Sequence, residues 1–457
     1  MKLLPNEILR LVSGSNTWGR FVRSFGALSL VRVFGGFLLY IAQVLLASWM
    51  GSYAFGRYSY AWAWVAVLST LAGLGLGNTG VRYIAAYLAE DQQALNRGLQ
   101  TFGRLALLLS SLCTLAVAYG AVLLWMPTSP YRDPLLLAFI AVPALAFLHL
   151  EAAYARGFHW IVLGGVFEQI CRPTVLIAVG ALIAFYYHGA SAEPYVLVCV
   201  LAYLSAAIGQ HVVVRRRIGR VLGPGPRAWH RSEWMRFSLA MLLLNGSQIV
   251  RLNTDLIMVG AYLTPSDLGT YTAALRTSTL VAFVLSVASV AAQPTISAFY
   301  AQGRWAELGR FVAQVTFCIL GVTLLVGLAV AGLGRFVLGL FGSDYVAGYP
   351  ALLILIAGFA LVAPLGPITS LLIMTGRHYG AAAIHTASIA VNVALNAVFI
   401  PLWGIEGAAL ATASSLCLTN AGLFLVARRA LGFSLSNLLR RKGAFGEGQG
   451  PEKGDRR

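Results

Sequence analysis

Acidic residues are scarce in this chain: 16 Asp and Glu stand against 33 Lys and Arg in 457 residues, and charged residues of all kinds make up only 11%. Soluble domains carry about 25% charged residues, so an ordinary water-facing surface is excluded. Between Glu7 and Glu90 there is no carboxylate at all, which leaves the first apolar runs unable to bind a cation through one. Cysteine is equally uninformative as chemistry. Cys113, Cys171, Cys199, Cys318 and Cys417 lie far apart inside apolar runs with no CxxC spacing, so neither a metal site nor a disulfide framework is expected. Long polar intervals are missing too, and with them any room for a soluble catalytic domain. The opening MKLLPNEILRLVSGSNTWGR lacks the continuous apolar core of a signal peptide. Its Leu3, Leu4, Ile8, Leu9, Leu11 and Val12 suit a short helix in the membrane interface instead.

What is present is apolar length. Hydrophobic residues make up 58% of the chain, and a run of about 20 such residues crosses a bilayer as a helix. Twelve runs qualify, at 24–50, 55–81, 102–126, 134–156, 160–187, 194–214, 236–262, 268–299, 311–333, 347–375, 379–401 and 405–427. Backbone polar groups exposed to hydrocarbon cost several kcal/mol, so each run is expected to be helical. The fold class is therefore all-α, a polytopic membrane protein. Pro143, Pro173, Pro294, Pro364 and Pro367 fall inside runs and are expected to kink them.

The basic residues distribute unevenly between the two sides. With the N-terminus inside, the inner segments hold 26 of the 33 Lys and Arg and the outer segments three, Arg57, Arg132 and Arg335. The positive-inside rule then places both termini in the cytoplasm. The same distribution accounts for the net charge of +17 without nucleic acid as a partner. The most basic inner segment, Arg215 to Arg236, holds seven arginines and a Gly-Pro-Gly-Pro core at 223–226. It divides the chain into a segment 1–23, a six-helix lobe over 24–214, a linker over 215–236, a second lobe over 237–428 and a Gly-rich tail over 429–457, expected to be disordered.

The two halves repeat. Phe55-Gly56-Arg57-Tyr58 after the first run matches Leu268-Gly269-Thr270-Tyr271 after the seventh. About 25 residues further on, Arg82-Tyr83-Ile84-Ala85-Ala86-Tyr87 matches Pro294 to Tyr300 in texture. Six-span repeats of this kind are common in alternating-access transporters. One motif misleads. Gly75-Leu-Gly77-Asn-Thr-Gly80 fits GxGxxG, but it ends a membrane run and follows no strand, so it reads as close helix packing and not as a dinucleotide site.

Four stretches together resemble the polysaccharide branch of the multidrug/oligosaccharidyl-lipid/polysaccharide exporter superfamily, the Wzx-type oligosaccharide-lipid flippases. They are Ser29-x-x-Arg32-x-x-Gly35, Gly73 through Ala85, Asn253-Thr-Asp255 with Leu268-Gly269-Thr-Tyr271, and Asn392-x-x-x-Asn396 with Ile400-Pro401 through Gly404 and Gly407. The resemblance implies a V-shaped pair of lobes in the inner membrane. It also implies transfer of a polyprenyl-pyrophosphate-linked glycan from inner to outer leaflet, without cofactor or catalysis. A monomer surrounded by membrane lipid is expected, with polysaccharide-assembly proteins such as a polymerase as further partners. A multidrug or cation antiporter of the same superfamily and a peptidoglycan-precursor flippase are the alternatives. Scarce acidic residues disfavour the first, and twelve spans in place of fourteen the second.

Ionisable groups within spans are costly and tend to be functional. Arg32, Arg172, Arg251 and Arg276 lie within spans one, five, seven and eight, at rising depth from the inner end. A cationic, hydrated cavity suits a pyrophosphate, because guanidinium matches phosphate oxygens in a plane. Glu168 and Arg172, and Arg251 and Asp255, are four residues apart and could equally be structural ion pairs. Asp255, Glu168, Asn253, Asn392 and Asn396 are the residues expected to couple transport or to pair helices, with His385 below the two asparagines. His149 and Glu151 in span four could relay protons or simply be hydrated. Trp49, Tyr53, Tyr58, Tyr60, Trp62 and Trp64 read as an interfacial aromatic belt, or as a surface for stacking sugar at the exit.

Overall fold

The computed structural model describes residues 17–186, 191–375 and 377–431, with side chains from Val33 onward apart from several positions within 284–294, 378–382 and 430–431. The interfacial N-terminal segment and most of the Gly-rich tail lie outside these residues. Among the described residues every regular element is helical: α1 (Thr17–Ala72), α2 (Leu76–Ala89), α3 (Gln93–Trp125), α4 (Arg132–Phe139), α5 (Ala141–Gly157), α6 (Leu163–Val166), α7 (Arg172–Tyr186), α8 (Glu193–Leu222), α9 (Arg231–Tyr262), α10 (Pro265–Ala301), α11 (Trp305–Gly339), α12 (Tyr349–Val362), α13 (Gly366–Met374) and α14 (His378–Leu431).

Over its described residues, each of the twelve apolar runs is mostly helical. Eight stretches are long and apolar enough to cross a membrane. Two of them, Val33–Ala72 and Ala383–Arg429, are 40 and 47 residues long, about twice what one crossing needs. Both are bent in the middle. In α1 the bend is Gly51, at φ 74°, a conformation that glycine alone adopts without strain. In α14 it is Trp403–Gly404, with Gly404 at φ 57°, two residues after Pro401. Prolines mark the breaks in the shorter spans. Pro143 follows the break between α4 and α5, and Pro173 opens α7 directly after a π-type turn over Phe167–Cys171. Pro364 sits in the 3-10 turn that separates α12 from α13.

The chain forms two compact units, one of Met1–Met50 and Arg57–Ile249, the other of Gly51–Gly56 and Val250–Arg457. In the first, α5 packs between α2, α3 and α8. Its buried face of Leu145, Leu148, Ala152 and Ala155 shows why a helix rich in small residues takes the centre. In the second, α10 packs along α11 and α12 along α14, around a core that includes Ile296, Leu308, Val312, Leu371 and Leu423.

The passage from one unit to the next lies within α9, at Ile249 and Val250, beyond the basic segment expected to join the lobes. The reason is packing at the start of α9. Trp234 is fully buried, donates its indole N–H to Tyr87 Oη at 2.9 Å and lies against Phe102. One turn on, Ser238 and Thr79 share a 2.6 Å hydrogen bond. The basic segment itself is mostly helical, since α8 runs to Leu222 and α9 starts at Arg231. Its non-helical remainder, 223–230, is tied to α3. Arg97 Nε and Nη1 donate to the carbonyls of Pro226 and Leu222 at 2.9 and 2.8 Å, and Ala228 N–H donates to the Ala94 carbonyl at 3.0 Å. Within the segment expected as a linker, 223–230 is thus a strap on the first unit.

Within the second unit the repeated glycines meet each other. A Cβ on Gly56 would lie 1.7 Å from the Pro265 carbonyl oxygen, and one on Gly269 would lie 2.1 Å from that of Ser52. Ser52 and Ser266 share a 2.8 Å hydrogen bond beside them. The repeat therefore marks a backbone-to-backbone contact between the two copies of its own motif.

Candidate functional site

The most complete polar constellation within a span centres on Asp255 of α9. The apolar residues around it, Leu256 and Val259, are buried, and the helix can place a carboxylate there only if donors meet it. Asn396 of α14 donates Nδ2–H to Asp255 Oδ1 at 2.9 Å, and Thr412, beyond the bend of the same helix, donates its hydroxyl to Oδ2. The Gly404 bend lets one helix approach the carboxylate twice. Asn396 also donates to the Asn392 carbonyl at 3.0 Å, so the one-turn spacing of the two asparagines holds the amide in position. Asp255, Asn392 and Asn396 are all buried. The side-chain oxygens of Asn392 and Asn396 are buried without a hydrogen-bond partner among the described residues, as is His385 Nδ1, and the Tyr271 hydroxyl lies beside Asp255 and Thr412. Unmatched acceptors around a carboxylate form a site able to take up a proton or a small cation.

Of the four intramembrane arginines, Arg32 lies on the backbone of α1 with its side chain outside the described residues. Arg251 is half-buried on α9, one turn before Asp255, with His385 within electrostatic reach. Arg276 is exposed on α10, and Asn253 is half-buried on α9. Arg172 belongs to the first unit and is the most enclosed. It donates Nη1–H to the Tyr203 hydroxyl, stacks 4.8 Å from that ring and leaves Nε buried without a partner. Tyr58 and Cys199 are hydrogen-bonded beside it at 3.4 Å.

The expected ion pair between Glu168 and Arg172 gives way to other partners. The π-type turn over Phe167–Cys171 intervenes, Arg172 turns to Tyr203, and Glu168 Oε1 faces His149 Nε2 at 3.4 Å. Glu151 also differs from expectation. It is not hydrated but fully buried, held by Arg104 Nε at 2.7 Å and His211 Nδ1 at 2.9 Å. The aromatic belt is largely packing: Tyr58 and Tyr60 are 3% and 5% exposed, Tyr60 stacks on Tyr131 and Trp62 on Tyr203. Only Tyr53 of that group is strongly exposed.

Two functional side chains escaped sequence reasoning. Thr412 is 157 residues from Asp255, and nothing local distinguishes it from other span threonines. Arg104 looked like the end of a basic loop, although its spacing from the span-four Glu151 carries no local signal.

A family model described as polysaccharide biosynthesis protein matches residues 21–300. No curated protein matches the chain significantly in sequence. Solved structures match in fold. An inward-facing multidrug resistance MATE family transporter of the MOP superfamily aligns with a TM-score of 0.73 and 13% identity, over 90% of this chain and 99% of that one. The lipid II flippase MurJ, in an inward closed conformation, aligns with a TM-score of 0.71 and 13% identity, over 91% and 89%. A MOP superfamily transporter from Pyrococcus furiosus, whose binding pocket is described as having reverse polarity, aligns with a TM-score of 0.61 and 12% identity, over 91% and 96%.

Proposed function

Because this chain belongs to the polysaccharide biosynthesis protein family, we propose that it is a flippase for polyprenyl-pyrophosphate-linked oligosaccharides. It moves them from the cytoplasmic to the outer leaflet of the inner membrane for surface-glycan assembly, as a transporter and not as an enzyme. The family match is the observation that carries this reading, since the fold is shared with a multidrug transporter and a lipid II flippase alike. The span arginines support it. Arg172 donates directly to a neutral phenol, while Glu168, engaged by His149, stays within electrostatic reach of it, and a guanidinium there attracts a pyrophosphate while it repels a cationic drug. Arg32 on the first span of the first lobe, and Arg251 and Arg276 on the first and second spans of the second, supply further positive charge, with both termini in the cytoplasm. An inside-negative potential favours outward passage of the anionic headgroup by about 2.3 kcal/mol per charge per 100 mV. Asp255, with Asn392, Asn396 and Thr412, is the coupling site in this reading. Its buried oxygens bind a proton or a small cation, and the energy of that ion's gradient returns the emptied transporter.

The test is glycan export in a strain lacking its own flippase. Replacing Arg32, Arg251 and Arg276 with Ala is expected to lower surface glycan at least about tenfold while the protein inserts normally. Unchanged export would overturn the reading. So would resistance to cationic drugs gained on expression without any restored glycan, the behaviour of an antiporter.

A further inference from the structure

A second basic site lies apart from the span arginines, in the first unit. At one end of α3 and α8, where the strap 223–230 crosses, there is a cavity of about 740 Å³. Arg97, Arg104, Arg215 and Arg227 line it together with His211, and no Asp or Glu does. The carboxylate behind it, Glu151, is fully buried and engaged by Arg104 and His211, so it cancels one charge of four at most. Arg97 is spent on the strap carbonyls of Leu222 and Pro226. That bond makes the strap a wall of the cavity. Gly225 permits the arrangement, for a Cβ there would lie 2.6 Å from the Arg97 guanidinium. Arg215 from α8 and Arg227 from the strap are both exposed and have no acidic partner among the described residues.

Gln100 and Thr101 add polar groups near the arginines, and beyond them the α3 wall is apolar. Leu105 and Leu108 line the cavity and are 57% and 50% exposed, and Leu112 continues the same face of α3 at 63%. Positions i, i+3 and i+7 share one helix face, so the leucines form a track that leads from the arginines along the helix. The positive-inside rule explains why arginines gather on this side. It does not explain why they enclose a cavity that opens onto an aliphatic stripe, since a topogenic arginine needs only water.

We infer that this cavity binds the phosphate headgroup of an anionic phospholipid from the leaflet on the arginine-rich side. Guanidinium groups of Arg215 and Arg227 bind the phosphate oxygens bidentately, while Arg104 stays paired with Glu151 behind them. One acyl chain lies along Leu105, Leu108 and Leu112. Basic pockets between membrane helices are suited to such headgroups, and burying chain methylenes on the stripe adds what a soluble anion could not. The lipid would fix the strap and the start of α9 onto the first unit. This inference requires the chain to lie in a membrane and requires nothing of its cargo, so it stands or falls apart from the flippase reading.

The experiment is native mass spectrometry of the full-length protein in detergent, titrated in parallel with phosphatidylglycerol, phosphatidylcholine, inorganic phosphate and a polyprenyl diphosphate. Phosphatidylglycerol is expected to remain bound at least about tenfold more tightly than phosphatidylcholine. The Arg215→Gln/Arg227→Gln double variant should lose most of that preference, and Leu108→Gln should weaken phosphatidylglycerol further. Arg428→Gln/Arg429→Gln, in the other unit, should change nothing. Both pairs of arginines are exposed, so thermal unfolding in detergent should match the parent and confirm folding. Equal retention of the two phospholipids would overturn the inference, as would an unchanged preference in the double variant. Displacement by millimolar inorganic phosphate would make it a soluble-anion site. Displacement by equimolar polyprenyl diphosphate would make it a cargo vestibule. Either result rejects the phospholipid.

Discussion

A buried carboxylate in a membrane span asks for its donors one by one, and Asp255 and Glu151 answer in opposite ways. Asp255 takes neutral donors, Asn396 and Thr412, and keeps unmatched oxygens around it. Glu151 takes Arg104 and His211, which saturates it. The first arrangement suits an exchangeable ion and the second suits stability. Asp255→Asn keeps the hydrogen-bond geometry and removes the charge, so folding should survive while export loses its dependence on the ion gradient. Export measured across a range of proton and sodium gradients checks this, and a flat response in the parent protein would remove Asp255 from coupling. Thr412→Val should weaken export less, since one donor of two remains. Removing Arg104 leaves Glu151 buried with His211 alone, and breaking a buried pair costs about 3–5 kcal/mol. Arg104→Ala should therefore unfold at markedly lower temperature in detergent, while Arg104→Ala combined with Glu151→Leu should recover much of the loss.

At the scale of helices, bends and close approaches decide what meets what. The contact of Gly56 with the Pro265 carbonyl and of Gly269 with the Ser52 carbonyl has no room for a methyl group. Gly269→Val is expected to separate the two helices and cost about 1–3 kcal/mol through overpacking, whereas Gly332→Val, which meets nothing within 4 Å, should be silent. Thermal unfolding of the two variants side by side checks the difference. The glycines were visible in the sequence as a repeated motif, yet a repeat says that two segments are alike and not that they touch. Span positions were legible for a simpler reason, because lipid forces every apolar run of sufficient length to be helical. Helix breaks were legible at Pro173 and Pro364, which lack the N–H, but Pro294 lies inside the unbroken α10 and the α1 bend falls on Gly51. The partners of Asp255 were not legible, because side chains 141 and 157 residues apart meet through tertiary packing that no local pattern records. The tie of the basic segment to α3 was hidden for a related reason. Gly-Pro-Gly-Pro describes a chain without regular structure, but Arg97 on a different helix decides whether that chain is loose.

For the molecule as a whole, the arginines are proposed to carry chemistry as well as orientation, and the two roles meet on the same residues at the α3–α8 cavity. With the N-terminus taken as inside, the expected inner segments hold 26 Lys and Arg and the outer segments three, and such an asymmetry sets topology during insertion. Arg97, Arg104, Arg215 and Arg227 around the α3–α8 cavity are among those 26, so a basic loop that orients the chain also lines a pocket. If the N-terminus is cytoplasmic, Thr128, in the turn between α3 and α4, faces outward, and Gln302, between α10 and α11, faces inward. Both are exposed, and neither lies in a helix core, so a cysteine at either position should be tolerated. In a background without the native cysteines, a membrane-impermeant maleimide added to intact cells should label Thr128→Cys. It should leave Gln302→Cys unlabelled until the membrane is permeabilised. The reverse pattern would invert the protein in the membrane. The same arginine-rich cavity would then face the outer leaflet, and the direction of transport would have to be argued anew from the field acting on an anionic headgroup.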